Sequence, residues 1–199
     1  MNAAIAVLAA GSSRRLGIPK QFLTLADGNS LVRHSAERVC ASKARRHAVV
    51  VGAFAERVRR HLEGLPLDVL PSQDPAEGIA ASIRAAAAWA AKHEAEALLL
   101  CVCDQPWLEF GHLNALLDAW TRARGLVASH YGGKSGVPAV FPAGHFGELQ
   151  ELRGDVGAAA ILRAARHITL IEWPEGELDL DTASDWLRYR AAVRVGSSA

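Results

Sequence analysis

Short, continuously apolar runs alternate with longer stretches of helical periodicity along this chain. Runs rich in Val, Ile, Leu and Ala at residues 4–8, 48–51, 67–70, 97–103, 126–129, 138–141 and 168–172 predict strands. Between them, residues 31–40, 55–62, 79–93, 113–124, 145–152, 156–165 and 182–192 place apolar side chains three or four apart and predict helices. Strands that are apolar throughout, rather than at every second position, are buried on both faces. The pattern therefore implies a mostly parallel sheet covered by helices on both sides and joined by right-handed crossovers. This is a three-layer α/β/α arrangement of Rossmann-like type. Ligands of such sheets bind beyond the carboxyl ends of the strands, so the loops after Leu8, Val51, Leu70 and Cys103 are expected to carry the chemistry.

Composition narrows this picture. With 199 residues, half of them hydrophobic, the chain can bury a core without disulfides or structural metal. No linker or internal repeat interrupts it, so one domain is expected over residues 1–192, followed by a tail at 193–199. The 22 Lys+Arg against 21 Asp+Glu give a net charge of +1, which lacks the electrostatic footprint of a nucleic-acid binder. The apolar start has no basic segment before it and is too short to span a bilayer, so a cytoplasmic protein without membrane attachment is expected. Cys101 and Cys103 lie two apart in an apolar run, on one face of a strand, where cysteine acts as a small hydrophobe.

The first loop is the most informative stretch. Leu8-Ala9-Ala10-Gly11-Ser12-Ser13-Arg14-Arg15-Leu16-Gly17-Ile18-Pro19-Lys20 combines glycines, small residues and three basic side chains directly after a strand, a composition that turns backbone N–H groups toward an anion. Neither the G-x-x-x-x-G-K pattern of P-loop ATPases nor the G-x-G-x-x-G dinucleotide fingerprint is present. Asp104 leaves the most apolar strand at its carboxyl end, a place suited to holding Mg²⁺ or to capping the next helix. In Asp179-Leu180-Asp181 the two carboxylates share one face of an extended segment, while Leu180 points the other way. Gly132-Gly133 between two strand-like runs reads as a hairpin turn, and Trp89, Trp120 and Trp186 read as core, with Trp107 beside Asp104 able to wall the site.

Taken in order, these stretches resemble the nucleotidyltransferases that act on the molybdenum cofactor, and within them the cytidylyl branch. The resemblance rests on the first loop, Glu77-Gly78-Ile79-Ala80-Ala81-Ser82, Cys103-Asp104-Gln105-Pro106, Gly132 to Pro138, Gly154-Asp155-Val156-Gly157-Ala158 and Asp179 to Asp185. It implies a fold of the nucleotide-diphospho-sugar transferase type and transfer of CMP from CTP, or GMP from GTP, to a phosphorylated pyranopterin. It further implies that Leu8, Ala9, Ala10, Gly11, Ser12, Ser13, Arg15 and Lys20 hold the nucleotide phosphates, with Gly78 and Ser82 facing the nucleoside. Arg15, Lys20 and Asp104 would be catalytic, Asp104 and either Asp181 or Asp179 would hold Mg²⁺, and Lys134, Gly154 and Asp155 would meet the acceptor. A molybdenum hydroxylase is the implied recipient of the product.

Three positions depart from the family pattern: Asp74 before Pro75, Val137 in place of a histidine, and Ala159 in place of a basic residue. They keep open another small phosphate acceptor, or a carrier that binds the finished cofactor without turnover. Ala10, where guanylyl-transferring relatives carry glycine, narrows the space for a base and favours CTP.

Overall fold

Seven consecutive residues without a polar side chain, Ala3–Ala9, form strand β1, and every one of them is buried. Such a strand needs cover on both faces. The computed structural model, which describes residues 2–11, 13, 16–74 and 76–196, shows how that is met. Strands β2 (Arg46–Val51), β3 (Asp68–Pro71), β4 (Ala97–Val102), β5 (Val127–Tyr131), β6 (Lys134–Pro142) and β7 (Thr169–Glu172) join β1 in one sheet of order β3-β2-β1-β4-β6-β5-β7. All pairings are parallel except those of β6, which runs antiparallel to both β4 and β5.

Helices α1 (Leu31–Cys40), α2 (Ala55–His61), α3 (Ile79–Lys92), α4 (Phe110–Ala123), α5 (Phe146–Glu151), α6 (Ala159–Ala164) and α7 (Ala183–Gly196) complete the chain, with 3-10 turns at Lys20–Phe22, Ala143–His145 and Pro174–Glu177. Alternation along β1 divides the core. Ile5, Val7 and Ala9 pack with Val32 of α1, Val58 of α2 and Leu116 of α4, whereas Ala4, Ala6 and Leu8 pack with Ile83 of α3, Leu149 of α5 and Leu162 of α6. Full burial of each Val, Leu or Ile contributes roughly 1.5–3 kcal/mol, so two such cores outweigh any single polar contact. A third, smaller cluster of Leu23, Leu25, Leu31, Leu180 and Tyr189 seats α7 against the segment after the first loop.

The sheet is the three-layer, mostly parallel α/β type expected from the apolar runs. Differences lie at element ends. β6 begins at Lys134 rather than 138, because its first residues, Lys134 and Ser135, are polar and pair with β5 next to the hairpin turn. That hairpin closes on Gly132 and Gly133, with φ of +54° and +71°, the two positive values a type I′ turn requires. α7 continues to Gly196, past residue 192. Cys101 and Cys103 are buried as free thiols in the same core, as their spacing implies. No described helix is long and apolar enough to cross a membrane.

The sheet order places the site. From β1 the chain builds outward through β2 to β3, then returns to add β4 on the opposite side of β1. The loops after β1 and β4 thus diverge, and the crevice between them is the topological switch point where such sheets bind ligands.

On the far half of the sheet, His112 of α4 lies stacked on Trp173 at 4.7 Å. Ser129 donates its hydroxyl proton to the Pro138 carbonyl at 2.7 Å, so the 2.8 Å contact with His112 requires the imidazole Nε2–H to donate to Ser129. Burial pushes this imidazole down to about 4. The unfolded chain, with an ordinary histidine value near 6.5, then binds more protons between these limits. His112 should therefore contribute stability above about pH 6.5 that is lost as pH falls through about 4. Urea denaturation across this range should show a decline that is shallower in His112→Leu.

Candidate active site

At the carboxyl end of β1 the chain leaves the sheet and folds back within ten residues. Ser13 sits in the left-handed region at φ +55°, a strained position for a residue with a side chain. It is held from both sides, because its carbonyl accepts the N–H groups of Leu16 and Gly17 at 3.2 and 3.3 Å and its hydroxyl accepts the Lys20 N–H at 2.9 Å. The loop is also pinned from beneath by Gln21. This side chain is 1% exposed, and its Nε2 donates to the carbonyls of Ala9 at 3.0 Å and Gly11 at 2.5 Å. With those carbonyls turned down, the loop presents its other side to a cleft of about 630 Å³ lined by Leu8, Ala10, Gly11 and Ser13. Ala10 is braced against the β2 loop, since a Cβ at Gly52 would lie 2.5 Å from its carbonyl oxygen and 3.0 Å from its methyl.

Three distant segments meet at the floor of this cleft. The Lys20 Nζ donates to Asp104 Oδ2 at 2.5 Å and to Asp181 Oδ1 at 2.7 Å, and the three side chains are between 13% and 30% exposed. Burial alone lowers the Lys20 ammonium, but the Asp104 charge and hydrogen bonds to both carboxylates outweigh it and hold the group above its ordinary value. Asp104 follows directly on β4 and Cys103. Asp181 is brought to it by an extended strap, in which Leu180 is fully buried and donates its N–H to the Asp104 carbonyl at 2.8 Å. Thr182 and Asp185 then close the start of α7, with Asp185 accepting both the backbone N–H and the hydroxyl of Thr182.

The donor set fits a hard divalent cation. Asp104 Oδ1 is buried and has no hydrogen-bond partner among the described residues, and the other oxygens already converge on one cationic nitrogen. Mg²⁺ takes oxygen ligands, one or two carboxylates together with substrate phosphates. No group of three or more His, Cys, Asp and Glu converges as a metal site among the described residues. Asp179 lies outside the cleft wall. Although Asp179 is open to solvent on one side, lost hydration on the other and the nearby charges of Asp104 and Asp181 raise its carboxyl to about 6.

The opposite wall is made by the first turn of α3. Gly78 precedes it at φ +119°, and a Cβ there would collide with Asp155 Oδ1 and stand 2.6 Å from the Gly154 carbonyl. Gly78, Ile79, Ser82 and Asp155 all face the cleft. The structure thus brings Leu8, Ala10, Gly11, Ser13, Lys20, Gly78, Ser82, Asp104, Asp155 and Asp181 around one cavity, with Ala9 and Gly154 directly behind it. Lys134 is not in its wall: it stands at the exposed hairpin, 5.8 Å above the Tyr131 ring. Ser12, Arg14 and Arg15 lie outside the described residues, as does Pro75. Trp107 does not wall the cleft as its position in the sequence suggests. It packs on Tyr189 at 4.9 Å in the cluster beneath α7, because the chain after Asp104 turns away from the crevice.

No motif marks Gln21 or Arg84, and Glu77 stands in the stretch before Gly78 without a role assigned to it. The available signal for Gln21 is its place between Lys20 and the apolar Phe22-Leu23, where a buried amide must find backbone partners.

Comparison with known proteins gives the relatives of the chain. The family model described as MobA-like NTP transferase domain matches residues 5–169. The purine catabolism protein PucB of Bacillus subtilis (strain 168) is 28% identical, over 94% of this chain and 95% of that protein. The nicotine blue oxidoreductase of Paenarthrobacter nicotinovorans is 30% identical over 79% of each. Among solved structures, Rv0371c from Mycobacterium tuberculosis H37Rv superposes with a TM-score of 0.83 at 29% identity, covering 95% of this chain and 97% of that one. The same mycobacterial protein has also been solved in complex with manganese.

Removing the ammonium leaves two partly buried carboxylates facing one another. Lys20→Met is therefore expected to lower stability near pH 7 by about 2 kcal/mol in urea denaturation, and Lys20→Met with Asp181→Asn should regain part of the loss. Millimolar Mg²⁺ should stabilise Lys20→Met more than the unaltered protein.

Proposed function

The chain belongs to the MobA-like NTP transferase family, and from that premise we propose that it transfers CMP from CTP to the terminal phosphate of the pyranopterin molybdenum cofactor. It acts as one transferase domain over residues 1–192, in the cytoplasm, and its product serves a molybdenum hydroxylase. The observation that carries this reading is the meeting of Lys20, Asp104 and Asp181 beneath an anion-type loop at the β1/β4 switch point.

The acceptor phosphate oxygen attacks the α-phosphorus of the nucleotide, the bond to the β-phosphate oxygen breaks in line, and pyrophosphate leaves with the electron pair. The attacking oxygen is already ionised, so no strong general base is needed. Rate then comes from positioning and from stabilising negative charge. Asp104 and Asp181 would hold Mg²⁺, which when bound neutralises charge on the phosphoryl oxygens and the departing pyrophosphate. Lys20 supplies a fixed positive charge beside them, and Gln21 keeps the Ala9 and Gly11 carbonyls from facing the phosphates. Arg15 is proposed as the second cation of the loop. Gly78 and Ser82 take the nucleoside along the first turn of α3, while Gly154 and Asp155, with Lys134 at the hairpin, take the acceptor.

The choice of CTP rests on Ala10, a methyl in the cleft wall that is braced by Gly52 and so cannot yield to a purine without moving the β2 loop. GTP on the same acceptor is the alternative within the same chemistry.

Pyrophosphate release measured with each nucleoside triphosphate and purified molybdopterin should favour CTP over GTP, and Ala10→Gly should narrow that preference. A preference of the unaltered protein for GTP overturns the base assignment. Asp104→Ala should lower turnover by at least about 100-fold while leaving the thermal midpoint of unfolding within a few degrees. Cofactor binding with no turnover of any triphosphate would instead favour a carrier.

A further inference from the structure

Residues 78–82 and 154–155, far apart in the sequence, form one fitted unit. The Ala80 N–H at the start of α3 donates to the Gly154 carbonyl at 3.1 Å, and the Gly154 N–H donates to Glu77 Oε1 at 3.2 Å. Glu77 also accepts from both terminal nitrogens of Arg84, one at 2.7 Å, and Arg84 donates in turn to the Leu152 carbonyl at 2.9 Å. The Arg84 hydrogen bonds and the Gly154 N–H hold the Glu77 carboxyl far below its ordinary value, at about 2. The pair is therefore charged at any pH where the protein works, and every one of its contacts reaches the turn that carries Asp155.

We infer that Glu77 and Arg84 are positioning residues that fasten the Gly154–Asp155 turn to the first turn of α3 and so aim the Asp155 carboxylate into the cleft. The inference deepens the transferase reading and rests on it for the chemistry of the ligand. A carboxylate repels phosphate and accepts from N–H or O–H donors. Asp155 therefore meets the donor-bearing ring or hydroxyl part of the acceptor, while the acceptor's phosphate lies toward Lys20. Misplacing such a group by an ångström is enough to weaken its contact many-fold.

A plain surface ion pair and this latch answer differently to charge reversal. Glu77→Arg with Arg84→Glu keeps an ion pair but offers no acceptor to the Gly154 N–H and no donor to the Leu152 carbonyl. Hydrogen exchange of the full chain and CTP-dependent pyrophosphate release with purified molybdopterin should be measured for Glu77→Ala, Glu77→Gln and the reversed pair. Glu77→Ala and the reversed pair should both exchange faster at residues 152–158 with β1 and β4 unchanged. Both should raise the acceptor KM about tenfold with kcat within about threefold. Glu77→Gln, whose amide oxygen still accepts from Gly154, should stay near the unaltered protein in both readouts. Restoration by the reversed pair, unchanged exchange at 152–158, or a fall in kcat at constant KM overturns the inference. If the unaltered protein turns over no triphosphate, the transferase reading fails, and the exchange results alone decide whether the latch exists.

Discussion

One ammonium between two carboxylates organises the floor of the cleft. Lys20, Asp104 and Asp181 come from the first loop, from the end of a central strand and from the strap before the last helix, the two carboxylates lying 84 and 161 residues after the lysine. Their mutual attraction is strong because they are partly shielded from water, where the same charges would interact only weakly. Each partner is also tied by a neighbour that is not charged. Gln21 beside Lys20 grips the loop, Cys103 beside Asp104 is sealed in the core, and Leu180 beside Asp181 is buried against the floor. The charges are thus held at one point by apolar and amide contacts rather than by one another alone.

Most of the fold was readable because its strands are buried on both faces. Val49-Val50-Val51 and Leu98-Leu99-Leu100 leave no doubt about period or burial, and the parallel order follows from helices intervening. The reversed direction of β6 was readable only from Gly132-Gly133, two residues whose positive φ values commit the chain to a hairpin. In the site, Asp104 was visible because a carboxylate at the end of an apolar strand has few structural uses. Asp181 could not be separated from Asp179 by pattern, since both point to one side of the strap. What separates them is the structure alone, in which Asp181 lines the cleft and receives the Lys20 ammonium while Asp179 is exposed outside its wall. Trp107 misled for the converse reason, because nearness in sequence to Asp104 says nothing about which way the chain turns next. Gln21, Glu77 and Arg84 act through backbone atoms of other segments, and partners of that kind leave no periodic or compositional trace.

A net charge near zero conceals a polarised cavity. Among the described residues, its floor joins a cationic nitrogen to two carboxylates, and its far wall carries a third carboxylate at Asp155. A ligand that is anionic at one end and rich in hydrogen-bond donors at the other matches both.

The strap that delivers Asp181 has a meaning in time as well as in space. Translation proceeds from the amino terminus, and domains gather structure as the chain emerges. The anion loop, Gln21 and Lys20 are made first, Asp104 follows near the midpoint, and Asp181 arrives only after all seven strands have been synthesised. A nascent or truncated product ending before the strap carries the loop and one carboxylate but no closed cation seat. The junction of the Lys20 ammonium with both carboxylates is therefore completed late and all at once.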